Sequence, residues 1–185
     1  MQSTTGSHEE SDNELVRRFQ RGDIEAFDTV VRRYQDRICR MAAVWLHDEQ
    51  YSVDVAQEVF LRGFKGLRSF RFRSALFTWL YRTTRNVCRE QNRRKTASPL
   101  DFEPIDALAN PASQVSRQHT AREVRELVAS LPKRQQEVVL LRVFEEMSVR
   151  DTATTMGCRE GTVKALLHKA MTRLKFNARS RNADT

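Results

Sequence analysis

The chain has 185 residues, 39% of them hydrophobic and 30% charged, and a formal net charge of +8. That length suits one ordinary domain or two small ones, and its aromatic and branched aliphatic residues recur too often for wholesale disorder. Met1 to Asn13 is too polar for a signal peptide, and no apolar run reaches the roughly 20 residues of a membrane span, so a soluble cytoplasmic protein with no direct membrane insertion is expected.

Ser11-Asp12-Asn13-Glu14 has the form of a capping box just before Leu15 and Val16. It opens a short helix that runs to Gln20, with Gly22 as its stop. Asp23 starts a longer helix. Its apolar residues Phe27, Val30, Val31, Tyr34, Ile38, Met41 and Trp45 share one face, and Arg32, Arg33, Asp36 and Arg40 lie opposite. That stripe is core. A third helix covers roughly 52–65, with Val55, Val59 and Phe60 turned inward and Gly66 at its end. Residues 69–74 (Ser-Phe-Arg-Phe-Arg-Ser) have no helical period and read as a loop. A fourth helix covers about 75–93, with Leu76, Leu80, Thr83 and Val87 on its buried face.

From 96 to about 118 the texture changes. Pro99, Pro104 and Pro111, with Asp101, Glu103 and Asp106 nearby, predict an extended and mildly acidic linker. Residues 121–129 are helical again. Pro132 stands at the first turn of a helix to about 144, made strongly apolar by Val138, Val139, Leu141 and Val143. Ser148 caps a short helix that stops at Gly157, Cys158-Arg159-Glu160 forms a turn, and a last helix covers about 161–176. The expected fold is all-α, with two small helical domains joined by a flexible linker and no internal repeat.

Charge is uneven along this frame. Residues 62–95 hold eleven Arg or Lys and one acid, a net of +10. Residues 157–185 hold seven and two, a net of +5, which leaves the remainder at −7. Two basic segments in an otherwise acidic chain point to two contacts with a polyanion; two solvated basic faces are the plainer alternative. Cys39, Cys88 and Cys158 lie far apart with no CxxC pair, and the four histidines make no metal spacing with them. Free thiols are expected, with no metal and no cofactor.

The chain has no glycine-rich phosphate loop, no HExxH and no nucleophile elbow, and its acids form no pair suited to acid–base work. No catalysis is expected. The last two helices read instead as a helix-turn-helix, whose second helix enters the major groove. Val163, Leu167, Ala170 and Leu174 form its inner stripe. Thr162, Lys164, Ala165, His168, Lys169 and Thr172 are left on the outer face, with Arg159 in the turn. Lysines there reach phosphate or guanine edges, and an imidazole hydrogen-bonds or stacks on a base. A helical hairpin with a charged surface remains the alternative.

On the fourth helix Arg82, Arg85, Arg89 and Arg93 form one stripe bordered by Asn86. A basic stripe alone tracks phosphates. Phe70, Phe72, Phe77, Trp79 and Tyr81 cluster at its head; at least two must be core, and arginines beside exposed rings hold single strands or flipped bases. A duplex-reading and a strand-capturing module in one chain fit a promoter, which has a duplex element and an element that opens. A dimeric regulator that binds duplex alone, or an RNA-binding protein, also remains open at this point.

Asp54-x-x-Gln57-Glu58-Val59-Phe60-Leu61, then SALFTWLYRTTRN, LPKRQQEVVLLRVFEEMS and GTVKALLHKAMTRL, resemble the bacterial sigma factors of the extracytoplasmic-function (ECF) group, the small two-domain members of the sigma-70 family. The match covers roughly 12–177, and its order is far more specific than any one piece. The resemblance implies a four-helix sigma-2-like domain over 12–95, a linker over 96–119 and a sigma-4-like helix-turn-helix domain over 120–178. It implies that Asp54, Gln57, Glu58, Phe60 and Leu61 dock on the β′ clamp helices of core RNA polymerase. It implies a −10 reader of Phe72, Arg73, Ser74, Trp79, Arg82, Arg85, Asn86 and Arg89, with Asn86 near a captured base, where an amide offers both donor and acceptor. It implies a −35 reader of Arg159, Thr162, Lys164, Ala165, His168 and Lys169, with the β flap as the domain's other partner. An anti-sigma factor is the further partner implied, one that holds the protein at the inner membrane where it is itself anchored there. Three places depart from the family pattern. Glu145-Glu146-Met147 stands where a glycine is common, Asp151-Thr152-Ala153 replaces Glu-Ile-Ala, and Arg159 replaces a capping serine.

Overall fold

The apolar stripe from Phe27 to Trp45 becomes the axis of the N-terminal half. In the computed structural model, which describes residues 10–46, 50–97 and 115–183, it lies on α2 (Ile24–Leu46), and Phe27, Val30, Tyr34, Ile38 and Met41 are buried. Around it are α1 (Asp12–Gln20), α3 (Gln50–Gly66) and α4 (Leu76–Ala97). Among the described residues there is no strand.

Local chemistry sets where these helices begin and end. The Ser11 hydroxyl accepts from the Glu14 backbone N–H, and the Glu14 carboxylate accepts from the Ser11 N–H at 3.0 Å, so the capping box forms in full. The Ser11 bonds hold the Glu14 carboxyl below its ordinary range. Gly22 follows α1 at φ 101°, a left-handed conformation that suits glycine. Arg33 and the Tyr34 hydroxyl both bond Asp12, tying α2 back to the start of α1.

Helix α3 ends at Gly66, as expected, though not in a left-handed conformation. Its φ is −75°, and the chain continues into a 3₁₀ turn over Leu67–Ser69. A Cβ there would lie 2.8 Å from Cζ2 of Trp79, so the missing side chain makes room for the indole. On α4 Thr84 is buried and bonds the Leu80 carbonyl at 2.8 Å, whereas Thr83, expected on the inner face, is half-buried. Phe77, Tyr81 and Cys88 join Leu76, Leu80 and Val87 on the inner face, and burial pushes the Cys88 thiol up to about 12. Arg62 joins α3 to α4 by donating to Glu58 at 2.6 Å and to both oxygens of Glu90 at 2.7 and 3.0 Å.

The C-terminal half contains α5 (Val115–Ala129), α6 (Lys133–Val139), α7 (Val149–Met156) and α8 (Glu160–Ala183). Helix α4 thus extends to Ala97 and α5 begins at Val115; Pro99, Asp101, Glu103, Pro104, Asp106 and Pro111 lie outside the described residues. Pro132 is the residue preceding α6 rather than part of its first turn. The end of α6 widens into a π turn over Leu140–Phe144, closed by Glu145 N–H to the Leu140 carbonyl at 3.0 Å. A π turn inserts one residue into the helical register. Leu140 and Leu141 stay buried, whereas Val143, expected in the core, and Phe144 face solvent. Ser148 caps α7 by accepting from the Asp151 N–H at 3.0 Å, and Gly157 closes it at φ 63°.

Gly157 has open space around its Cα, so Gly157→Ala tests the backbone alone. An L-residue held in the left-handed region costs about 1–2 kcal/mol, and urea unfolding of the variant should read that loss. The Arg62 contact holds the Glu90 carboxyl below its ordinary value of 4.5. A depressed carboxyl contributes stability that is present above the unfolded pKa and lost as pH falls through the folded one. Glu90→Gln should therefore flatten the loss of melting temperature below pH 4.5 while changing its pH dependence little above.

Candidate functional site

Three surfaces carry the residues singled out from the sequence. The first is on α3. Asp54, Gln57, Glu58 and Leu61 stand three or four residues apart and share one face. Asp54 and Gln57 are exposed, Glu58 is half-buried and held by Arg62, and Leu61 is 62% exposed beside Val53 at 53%. Phe60 does not belong to this face. It is 9% exposed and meets the Phe27 ring edge-on at 6.5 Å, so it is a core residue that supports the surface from behind. The helical period explains the difference, since Phe60 falls beside the core line of Val55, Ala56 and Val59 rather than on the line from Gln57 to Leu61.

The second surface is the loop before α4 and the outer side of that helix. Gln20, at the end of α1, donates from Nε2 to the carbonyls of Leu67 at 2.9 Å and Phe70 at 3.0 Å, which pins the loop. Helical periodicity gave no signal for that role. Phe72 has φ 55°, uncommon for a bulky residue and a mark of a loop held by its surroundings. Its ring meets Phe70 edge-on at 5.2 Å, and the Arg17 guanidinium lies 5.2 Å from its centroid. Phe70 in turn meets Trp79 at 6.3 Å.

The aromatic head is less open than the sequence suggests. Phe70, Phe77 and Tyr81 are core, with Phe77 stacked on Tyr34 at 6.0 Å and Tyr81 edge-on to Trp45 at 5.4 Å. Of the five rings, Phe72 and Trp79 are the partly accessible ones. Arg73, Arg82, Asn86, Arg89 and Arg93 are exposed, and Ser74 is half-buried. The arginine stripe is not wholly free. Arg82 donates to the Thr154 carbonyl at 3.2 Å, and half-buried Arg85 lies 3.4 Å from Glu137.

The third surface is α7 with α8. Val163 and Ala170 are buried and Leu167 and Leu174 half-buried, so the inner stripe faces the rest of the domain. Thr162, Lys164, Ala165, His168, Lys169 and Thr172 are all exposed along the opposite side, with exposed Arg159 just before the helix. The arrangement presents cations and hydrogen-bonding groups on one convex helix, as a groove-reading helix requires. Among the described residues no cluster of His, Cys, Asp and Glu is arranged to hold a metal, and no helix is long and apolar enough to cross a membrane.

Comparison with known proteins finds two matched segments. Residues 30–98 match the family model of Sigma-70 region 2, and residues 121–174 match that of Sigma-70, region 4. The chain is 35% identical over 175 residues to the RNA polymerase sigma-H factor of Pseudomonas aeruginosa, covering 88% of this chain and 91% of that one. It is 32% identical over 169 residues to the ECF RNA polymerase sigma factor SigM of Mycobacterium tuberculosis, covering 91% and 85%. It is also 32% identical over 177 residues to the ECF RNA polymerase sigma-E factor of Escherichia coli, covering 89% and 92%. In fold it is similar to CnrH, solved in complex with the cytosolic domain of CnrY, with a TM-score of 0.71 at 22% identity over 95% of this chain and all of that one. A second similar fold is the sigma factor RpoE of Bartonella quintana, solved with the anti-sigma factor NepR, with a TM-score of 0.62 at 19% identity over 80% and 94%. The chain belongs to the sigma-70 family of RNA polymerase sigma factors, in its extracytoplasmic-function group.

Proposed function

We propose that this sigma factor docks on core RNA polymerase through the α3 face of Asp54, Gln57, Glu58 and Leu61, and reads promoter DNA with two separate surfaces. The loop residues Phe72, Arg73 and Ser74 with Trp79, Arg82, Arg85, Asn86 and Arg89 take the −10 element. Arg159, Thr162, Lys164, Ala165, His168 and Lys169 take the −35 element. The units correspond to 12–95 and 120–178, joined through 96–119. The observation that carries the reading is that one chain holds two basic surfaces of different kinds. One is an arginine stripe beside partly accessible rings, suited to a single strand; the other is an exposed helix face, suited to a duplex groove.

The division of labour follows from the chemistry. Arginines on α4 track phosphates and carry no sequence information, so the amide of Asn86 is the group that discriminates a base edge. Lys164 and His168 play that part on α8. The protein has no catalysis of its own, works in the cytoplasm, and meets the β′ clamp helices and β flap as its polymerase partners. An anti-sigma factor restrains it, at the inner membrane where that partner is anchored. The similar fold of RpoE, solved with the anti-sigma factor NepR, supports this inference.

Run-off transcription tests the function. Core polymerase with the chain should initiate at a cognate promoter where core alone does not, and equal transcript from core alone would end the proposal. Asn86→Ala should lower that transcript while leaving polymerase binding unchanged. Lys164→Ala and His168→Ala should each weaken use of a −35 element by about 1–3 kcal/mol, read as promoter affinity of the reconstituted enzyme.

A further inference from the structure

The last turn of α1 reaches the loop that carries part of the proposed −10 surface. Gln20 is the last residue of α1, and Arg17 stands three positions before it, on the same side of the helix. The Gln20 amide nitrogen donates to two carbonyls, Leu67 at 2.9 Å and Phe70 at 3.0 Å. A primary amide carries two N–H donors, so each carbonyl takes one. A hydroxyl in its place would offer one donor and a carboxylate none. The Leu67 carbonyl also accepts from the Phe70 N–H at 3.1 Å, which closes the 3₁₀ turn. Gln20 therefore holds the backbone of Phe70 where the chain leaves that turn and becomes extended, at φ −65° and ψ 128°.

Phe70 is the joint of the aromatic head. Its own ring is buried, and it meets both partly accessible rings, Phe72 at 5.2 Å and Trp79 at 6.3 Å. Phe72 follows two residues later at φ 55°, a conformation that a bulky residue keeps only where its surroundings fix it. Two groups of α1 supply part of that constraint. Gln20 fixes the backbone at Phe70, and the Arg17 guanidinium covers the Phe72 ring, 5.2 Å from its centroid. Trp79 is set separately, because its indole fills the space that Gly66 leaves. The spacing between the two accessible rings is therefore set from α1.

We propose that Gln20 is a positioning residue of the −10 surface: by holding Phe70 it fixes where the Phe72 ring stands relative to Trp79, and so determines how strongly one base is preferred there. The inference rests on the strand-capturing role proposed for the loop and adds to it a residue from a different helix. A base seated against the ring gains from the ring's fixed position, whereas a mismatched base that does not seat gains nothing. Losing the two bonds therefore penalises the favoured base alone. It lowers base preference rather than affinity for DNA at large.

The test uses the full chain with core RNA polymerase and a pool of duplex promoters. Each promoter carries the −35 element that the wild-type enzyme selects, with the −10 region randomised. Sequencing the templates that are transcribed gives a base preference at each −10 position. Gln20→Glu keeps the shape of the side chain and removes both donors; Gln20→Ala removes the group without adding charge. Each should lower the strongest −10 preference by about fivefold, the scale of one or two lost hydrogen bonds, and leave co-elution with core polymerase unchanged. Gln20→Lys, which again offers donors to both carbonyls, should stay near wild type. Phe72→Ala, the control for the loop itself, should lower the same preference. If Phe72→Ala lowers it and neither Gln20→Glu nor Gln20→Ala does, the proposal is overturned while the loop keeps its role. If Phe72→Ala leaves it unchanged, the loop does not read the −10 element and the proposal falls with that reading. An equal loss of transcript from every template, with base preference kept, marks Gln20 as structural only and also overturns the proposal.

Discussion

Burial of α2 along its length is the constraint on which the rest of the structure depends. Each fully buried Val, Leu, Ile, Phe or Met contributes about 1.5–3 kcal/mol relative to exposure, whereas an exposed ion pair contributes about 0.2–1 kcal/mol. The stripe of Phe27, Val30, Tyr34, Ile38 and Met41 therefore outweighs the charges on the opposite face in setting where α1, α3 and α4 lie. Once α2 is enclosed, α3 and α4 have one face each committed to it. Their remaining faces carry Asp54, Gln57 and Leu61 on one helix and the arginine stripe on the other. The proposed docking face on α3 and the arginine stripe on α4 are what this packing turns outward.

The C-terminal half follows the same logic with less material. Val138, Leu141, Val163 and Ala170 are its most deeply buried apolar side chains among the described residues, and the buried residues of both halves belong to a single hydrophobic cluster. A small helical unit has little core to spare, so covering part of its surface on α2 and α4 stabilises it further. That contact uses the π turn, which places Glu145 next to Arg37 and turns Val143 and Phe144 outward.

Local signals in the sequence translated well. The Ser11–Glu14 box, the Ser148 cap, the Gly157 stop and the outer face of α8 each depend on residues a few positions apart, and each is present. The differences arise where distant residues decide the outcome. Gly66 is the helix stop it reads as, but it also makes room for Trp79, a residue of the next helix, which no local pattern shows. Phe60, which periodicity turns inward, is core against Phe27, while the family resemblance alone had placed it on the docking face. Val143 reads as core until a π turn shifts the register. Arg82 and Arg85 read as a solvent-facing stripe, and no periodicity could reveal that Thr154 and Glu137 would meet them. Gln20 gave no pattern at all, because pinning a loop needs only one amide in the right place.

The proposed role as a dissociable polymerase subunit rests on the exposed face of α3. Gel filtration of the purified full chain with bacterial core RNA polymerase, alongside the Asp54→Lys variant, tests that role. One-to-one co-elution of the wild-type chain and a weakened complex for the variant are expected. Failure of the wild-type chain to co-elute, together with tight binding of duplex DNA by the chain alone, would contradict it.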